Sequence, residues 1–135
     1  MGIAGCQQGA DVSQAQVDAS MSEEGAAEKV IDAQLAAYNR QDADAFAAFF
    51  SDSVAVYSPP QTLRLSGKAA LQARYQQLFE RAPTVQARVL DRTKYGRFVV
   101  DREMVSGLPG GNRLEALVIY EVRDSTIQTL WVLPF

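Results

Sequence analysis

The sequence has no histidine and a single cysteine among 135 residues, and each shortage closes a class of chemistry. Without an imidazole, the candidate acids, bases and metal ligands reduce to carboxylates, tyrosine and lysine. One thiol, Cys6, can form no disulfide within the chain. No apolar run approaches the ~20 residues that a membrane-spanning helix needs. Nor does any Lys or Arg precede Ala26, whereas Asp11, Asp18, Glu23 and Glu24 all do. The net charge of −3 therefore comes from the N-terminal stretch, and the remainder is near neutral. No basic stripe is left to suit a nucleic-acid partner. A chain of this length, 47% apolar and 21% charged, fits one domain around one core.

Residues 1–25 read differently from the rest. Ile3-Ala4-Gly5-Cys6 resembles the lipobox of bacterial lipoproteins, in which Cys6 would carry the lipid. Gln7 to Gly25 has no aromatic residue and is rich in Gln, Ala, Ser, Asp and Gly, the composition of a solvated tether. A basic and apolar leader upstream of the tetrapeptide is missing, so the expectation is a truncated lipoprotein signal followed by a flexible tether. The implied location is periplasmic or on the outer surface, with membrane contact only through that anchor. The alternative is a chance tetrapeptide at the start of a cytoplasmic protein.

The folded part is expected from 26 to 135. Ser20 and Glu23 have capping-box spacing, and Ala27, Val30, Ile31, Leu35 and Tyr38 recur at helical spacing up to about Asn39. Gln34 falls on that apolar stripe, where a buried amide must find partners or face a cavity. Asp42 can cap a short second helix that buries Phe46, Phe49 and Phe50. Ser53 to Tyr57 reads as a short strand stopped by Ser58-Pro59-Pro60. Ser66 is expected to cap a third helix, Gly67 to about Glu80, with Leu71, Tyr75, Leu78 and Phe79 on one face.

Four long strands follow. Val85 to Leu90 and Arg97 to Val105 alternate; Leu114 to Val122 places Leu114, Ala116, Val118, Tyr120 and Val122 on the core face. Asp124-Ser125 then turns the chain into Ile127 to Leu133, with Trp131 expected inward. If the loop Gly107 to Gly111 pairs Ser106 with Asn112, then Phe98, Val100, Arg102 and Met104 also face the core. Arg102 interrupts that face, so it must reach a carboxylate, a pocket or the sheet edge. The same register puts Asp101, Glu103 and Glu115 on the outer face as a solvated acidic patch.

This order of elements brings a family into view. Tyr38-Asn39-Arg40-Gln41-Asp42-Ala43-Asp44-Ala45-Phe46, Phe49-Phe50-Ser51-Asp52 up to Pro59, Ser66-Gly67-Lys68-Ala69-Ala70-Leu71 and Ile119-Tyr120-Glu121-Val122-Arg123-Asp124 together resemble the NTF2-like superfamily, in its SnoaL-like and ketosteroid-isomerase-like branch. The resemblance implies an α+β cone, with three helices packed on a strongly curved, mostly antiparallel sheet around a pocket for small, fairly apolar molecules. Matched to ketosteroid isomerases, Gln34 takes the place of the oxyanion tyrosine, Ser58 that of the base and Val118 that of the oxyanion aspartate. None of the three groups is retained, so the isomerase mechanism is not supported.

The expected pocket comprises Gln34, Tyr38, Phe46, Tyr57, Phe98, Arg102, Val118, Tyr120 and Trp131, with no metal and no cofactor. The expected ligand is a small apolar or amphipathic molecule with an anionic end near Arg102. A binding module is the first reading. An enzyme of the SnoaL-like type acting on a small apolar carbonyl compound, and a ligandless dimerisation module, are the alternatives. Outward-facing Val99, Leu117, Ile119, Leu130 and Val132 predict a homodimer through the outer sheet face.

Overall fold

The computed structural model describes residues 13–134, so Cys6 lies outside the described residues. Ser13, rather than Ser20, starts the first helix. Its hydroxyl accepts from the Gln16 backbone N–H while the Gln16 side chain accepts from the Ser13 N–H, the reciprocal pair that satisfies two otherwise unpartnered donors. Helix α1 therefore runs Gln14–Asn39, and residues 14–25, expected as tether, form its exposed first half. Its second half buries Ala27, Ile31, Gln34, Leu35, Ala37 and Tyr38. Asn39 ends the helix by docking on the sheet: its amide donates to the Ala87 carbonyl at 3.0 Å and accepts from the Ala87 N–H at 2.7 Å. A side-chain amide thus stands in for a strand partner and fixes where Tyr38, the preceding residue, and Gln34, five residues back, are held.

Asp42 caps the short helix α2, Ala43–Ala47, through the Ala45 N–H. Strand β1, Phe50–Ser58, turns at Pro59-Pro60 into strand β2, Thr62–Ser66, which the sequence reading did not foresee. Ser66 is consequently a ladder residue paired with Ala55 and does not cap helix α3, Lys68–Arg81. The cap residue is Gly67 at φ +93°, whose N–H bonds the Val54 carbonyl. Tyr38, Phe46, Phe50, Tyr75 and Phe79 from α1, α2, β1 and α3 meet as one aromatic cluster, with ring centroids 4.5–6.4 Å apart. Tilted and edge-on contacts of this kind add specificity to the area they bury.

Strands β3 (Gln86–Tyr95), β4 (Phe98–Ser106), β5 (Leu114–Arg123) and β6 (Thr126–Pro134) complete a six-stranded sheet in the order β2-β1-β6-β5-β4-β3. Only the β1–β6 pair is parallel. Asp124 and Ser125 both take positive φ, as a two-residue hairpin turn between right-twisted strands demands. Irregularities in pairing interrupt β1, β3 and β6, and such bulges bend a sheet. The helices pack on the concave side, giving the α+β cone that the sequence implied.

One register differs from expectation, and it reverses a face. The β4–β5 connection pairs Val105 with Leu114, so Val99, Asp101 and Glu103 stand opposite Tyr120, Val118 and Ala116. Because side chains alternate, a shift of one residue sends β4's inner set outside and its outer set inside. Gly107 helps to set the longer connection. At φ +74° it lies so close to the Thr84 carbonyl that a Cβ there would collide with backbone.

Candidate functional site

Between α1, α3 and the concave face of β4, β5 and β6 lies a cavity of about 530 Å³. Its walls are apolar, with Leu35, Tyr38, Phe46, Tyr75 and Leu78 from the helices facing Val105, Ala116, Val118, Leu130 and Val132 from the sheet. Exposed Arg74, Gln77 and Arg81 along one side of α3 form its rim. Three polar groups interrupt the interior: Gln34, Tyr120 and Glu103.

These three form a chain of hydrogen bonds. Gln34 Nε2 donates to the Tyr120 hydroxyl at 3.3 Å, and that hydroxyl donates to Glu103 Oε2 at 2.8 Å. The buried amide on the apolar stripe of α1 is thereby explained. Burial in apolar surroundings pushes the Glu103 carboxyl up to about 7, and the neighbouring Asp101 charge adds to the rise. The Tyr120 hydrogen bond and the Arg92 charge oppose it. Burial also raises the phenols of Tyr38, Tyr75 and Tyr120, so all three remain protonated donors at neutral pH. Among the described residues, the Tyr38 and Tyr75 hydroxyls have no hydrogen-bond partner, which leaves them available to a guest.

Asp101, fully buried two residues from Glu103, is treated differently. Arg92 grips it in a fork, Nε to Oδ1 at 2.7 Å and Nη2 to Oδ2 at 2.9 Å. The same guanidinium reaches Asp32 at 2.7 Å and Glu28 at 3.2 Å on α1, and Lys94 reaches Glu28 at 3.1 Å. This network ties α1 to β3 and β4, and of the two buried carboxyls among the described residues it leaves Glu103 without a cationic partner.

Of the nine residues expected at the pocket, Gln34, Tyr38, Phe46, Val118 and Tyr120 line this cavity. Phe98 and Arg102 do not, because the register of β4 turns them to the outer face. There Arg102 Nη1 pairs with Glu115 at 3.2 Å, and the Arg97 guanidinium sits 5.0 Å from the Phe98 ring centre. Tyr57 and Trp131 are parallel-strand partners that stack at 6.2 Å on the same outer face, and Tyr57 also lines a smaller cavity beside the first. The extra residue of β6, Gln128, inverts the alternation after Ile127, so Leu130 and Val132 point inward in Trp131's stead. Glu103, expected as part of a solvated patch, is the principal functional residue that the sequence reading missed. The tight turn Gly96-Arg97 pairs Tyr95 with Phe98 and so sets Arg92 opposite Asp101, but that pairing is the same whichever face of β4 turns inward.

Among the described residues, no group of three or more Cys, Asp or Glu is placed to hold a metal ion, and no helix is long and apolar enough to cross a membrane. No curated protein matches the chain significantly. Solved structures of similar fold include an uncharacterized cystatin-fold protein from Novosphingobium aromaticivorans, at 22% identity and TM-score 0.71 over 78% of this chain and 95% of that one. A candidate ketosteroid isomerase from Kribbella flavida matches at 18% identity and TM-score 0.71, covering 84% of this chain and 80% of its own. A candidate SnoaL-like polyketide cyclase from Jannaschia sp. CCS1 matches at 13% identity and TM-score 0.70, covering 83% and 87%. These likenesses establish the cystatin-like, NTF2-like fold. The sequence model of the SnoaL-like domain matches residues 31–129, most of the chain, and the protein belongs to that family.

Proposed function

We propose that the domain binds a small, largely apolar carbonyl compound in the cavity and exchanges a proton with it through Glu103. The observation that carries this reading is a buried carboxyl tuned to about 7, facing an apolar space and lacking a cation. A base titrating near the working pH combines a useful fraction of carboxylate with enough basicity to remove a proton from carbon. A cavity of about 530 Å³ falls within the range that small-molecule sites occupy, which weighs against a module whose core is simply filled.

The chemistry is balanced by the groups present. The Glu103 carboxylate takes a proton from the carbon next to the carbonyl, and the C–H electron pair moves into the enolate. The Tyr38 and Tyr75 hydroxyls are the available donors to the developing oxyanion. Glu103 then returns the proton, to the same carbon or to another. Tyr120 steadies the carboxylate throughout, and Gln34 orients Tyr120. Two structural neighbours, a candidate ketosteroid isomerase and a candidate SnoaL-like polyketide cyclase, are assigned to reactions in which such proton transfers occur, and lend the reading support.

The test is solvent exchange. With 2-tetralone in D2O, deuterium uptake next to the carbonyl is expected to exceed the buffer rate and to rise with pH through about 7 to a plateau, following ionisation of Glu103. Glu103→Gln is expected to lower the protein-dependent rate by about 10²-fold or more. Tight binding of the ketone with exchange no faster than in buffer would leave a binding module and reject the proton transfer.

A further inference from the structure

A second cavity of about 370 Å³ adjoins the first, and the two share Arg74, Tyr75, Leu114 and Val132 in their walls. Arg64 of β2 and Arg74 of α3 both front this side pocket, and neither Asp nor Glu lines it. Six other cations, Lys68, Arg92, Lys94, Arg97, Arg102 and Arg123, each face a carboxylate, whereas Lys29, Arg40, Arg81, Arg88 and Arg113 face none among the described residues, so what sets Arg64 and Arg74 apart is that both front one concavity. Among the described residues neither Arg64 nor Arg74 has such a partner.

Arg64 is nonetheless oriented. Its Nε donates to Ser58 Oγ at 2.9 Å, which anchors the guanidinium at the pocket and leaves its two terminal nitrogens to be used. Arg74 and Tyr75 are neighbours on α3, so one turn of helix presents a cation and a phenol to the wall that the two cavities share. Two guanidiniums held at one concavity repel each other, and an anion between them turns that repulsion into attraction. A carboxylate suits the pair because a guanidinium offers it two parallel charge-assisted hydrogen bonds.

We propose that the side pocket is an anion subsite, and that the ligand is an elongated molecule with its apolar body in the main cavity and a carboxylate end between Arg64 and Arg74. The inference rests on the main cavity being a small-molecule site and adds the substrate class. It keeps the amphipathic, anionic-ended ligand expected from the sequence but moves its anchor from Arg102 to the other end of the sheet. The arrangement also separates functions: the arginines hold the charged end where solvent enters, away from Glu103, whose tuning depends on apolar surroundings.

The experiment is calorimetric titration of the full chain with 6-phenylhexanoic acid and its methyl ester, using wild type, Arg64→Met/Arg74→Met and, as a control that lines neither cavity, Arg88→Met. The acid is expected to bind wild type at least about tenfold better than the ester. The double variant should reduce that preference to less than about twofold, and a circular dichroism spectrum matching wild type shows that its fold survives. Arg88→Met should keep the preference. Equal binding of acid and ester by wild type would overturn the subsite while leaving the apolar cavity in place. A preference that survives in the double variant, or that vanishes in Arg88→Met instead, would also overturn it. Failure of wild type to bind either compound would reject both the subsite and the cavity as a site for such molecules.

Discussion

The Tyr120 hydroxyl points at Glu103 Oε2 from 2.8 Å, and it is the one hydrogen bond that carboxyl receives among the described residues. Its partners across β3 and β5, Val89 and Ala116, are apolar, and the neighbouring Asp101 carboxylate is already matched to Arg92. A phenol is a neutral donor, so it favours the carboxylate less than a cation would. It steadies the charged form without removing the rise that burial imposes, and a carboxyl held near neutrality results.

Tyr120→Phe separates these contributions. The lost hydrogen bond favoured the charged form, so the midpoint of Glu103 should move above about 7 in the variant. Carbon-13 NMR of glutamate-labelled protein would follow it directly. A midpoint that stays or falls would show that Tyr120 does not tune the carboxyl.

Stability should carry the same signature. Glu103 is raised from 4.5 to about 7, so between those values the native state holds a proton that the unfolded chain has released. Stability therefore declines as pH rises through this window, by an upper estimate of roughly 3 kcal/mol, and the full cost persists above it. Glu103→Gln abolishes the cost. Denaturant unfolding should show the variant equal to wild type near pH 4 and more stable near pH 8; a difference that does not grow with pH would refute this.

The outer face bears on assembly. Val100, Leu117, Ile119, Trp131 and Leu133 lie together across β4, β5 and β6, each only half-buried. Val99, Leu130 and Val132, expected there, turn inward, but Val100, Trp131 and Leu133 replace them, so the apolar character of the face is kept. The expected state is a two-fold dimer that covers it. Sedimentation of wild type should give twice the chain mass at micromolar concentration, and Leu117→Glu should give the monomer. A monomeric wild type would remove the expectation.

What was legible in the sequence differed from strand to strand. Periodicity located α1, α3 and the four long strands because each buries a continuous apolar stripe, and β5 was assigned to the correct faces residue by residue. The faces of β4 depended on a loop of glycines and Pro109, where one residue more or less changes the register. Alternation on β4 could not decide, since Phe98-Val99-Val100 is apolar on both sides and the charges Asp101, Arg102 and Glu103 fall on both sides too. The cross-strand match of Arg92 with Asp101 does not decide either, because those two residues share a face in both registers. Strand β2 escaped for a different reason: Leu63 and Arg64 are exposed on an edge strand, so no buried stripe marks it.

That match leads to the last prediction. Asp101 is fully buried, and the Arg92 side chain is only 12% exposed, so each has left most of its hydration behind. Removing one member strands the other. Arg92→Met should cost about 3–5 kcal/mol in denaturant unfolding, because Asp101 would be left buried without its partner. Arg92→Met with Asp101→Leu should recover much of that loss, since an apolar pair of similar volume replaces a buried ion pair at little cost. The two variants also report on the site. Arg92 opposes the rise at Glu103 and Asp101 promotes it, so losing Arg92 alone should move the Glu103 midpoint up, and losing Asp101 as well should bring it back down. Unchanged stability in Arg92→Met would mean that solvent already relieves Asp101. An unchanged Glu103 midpoint in both variants would mean that burial alone sets the carboxyl.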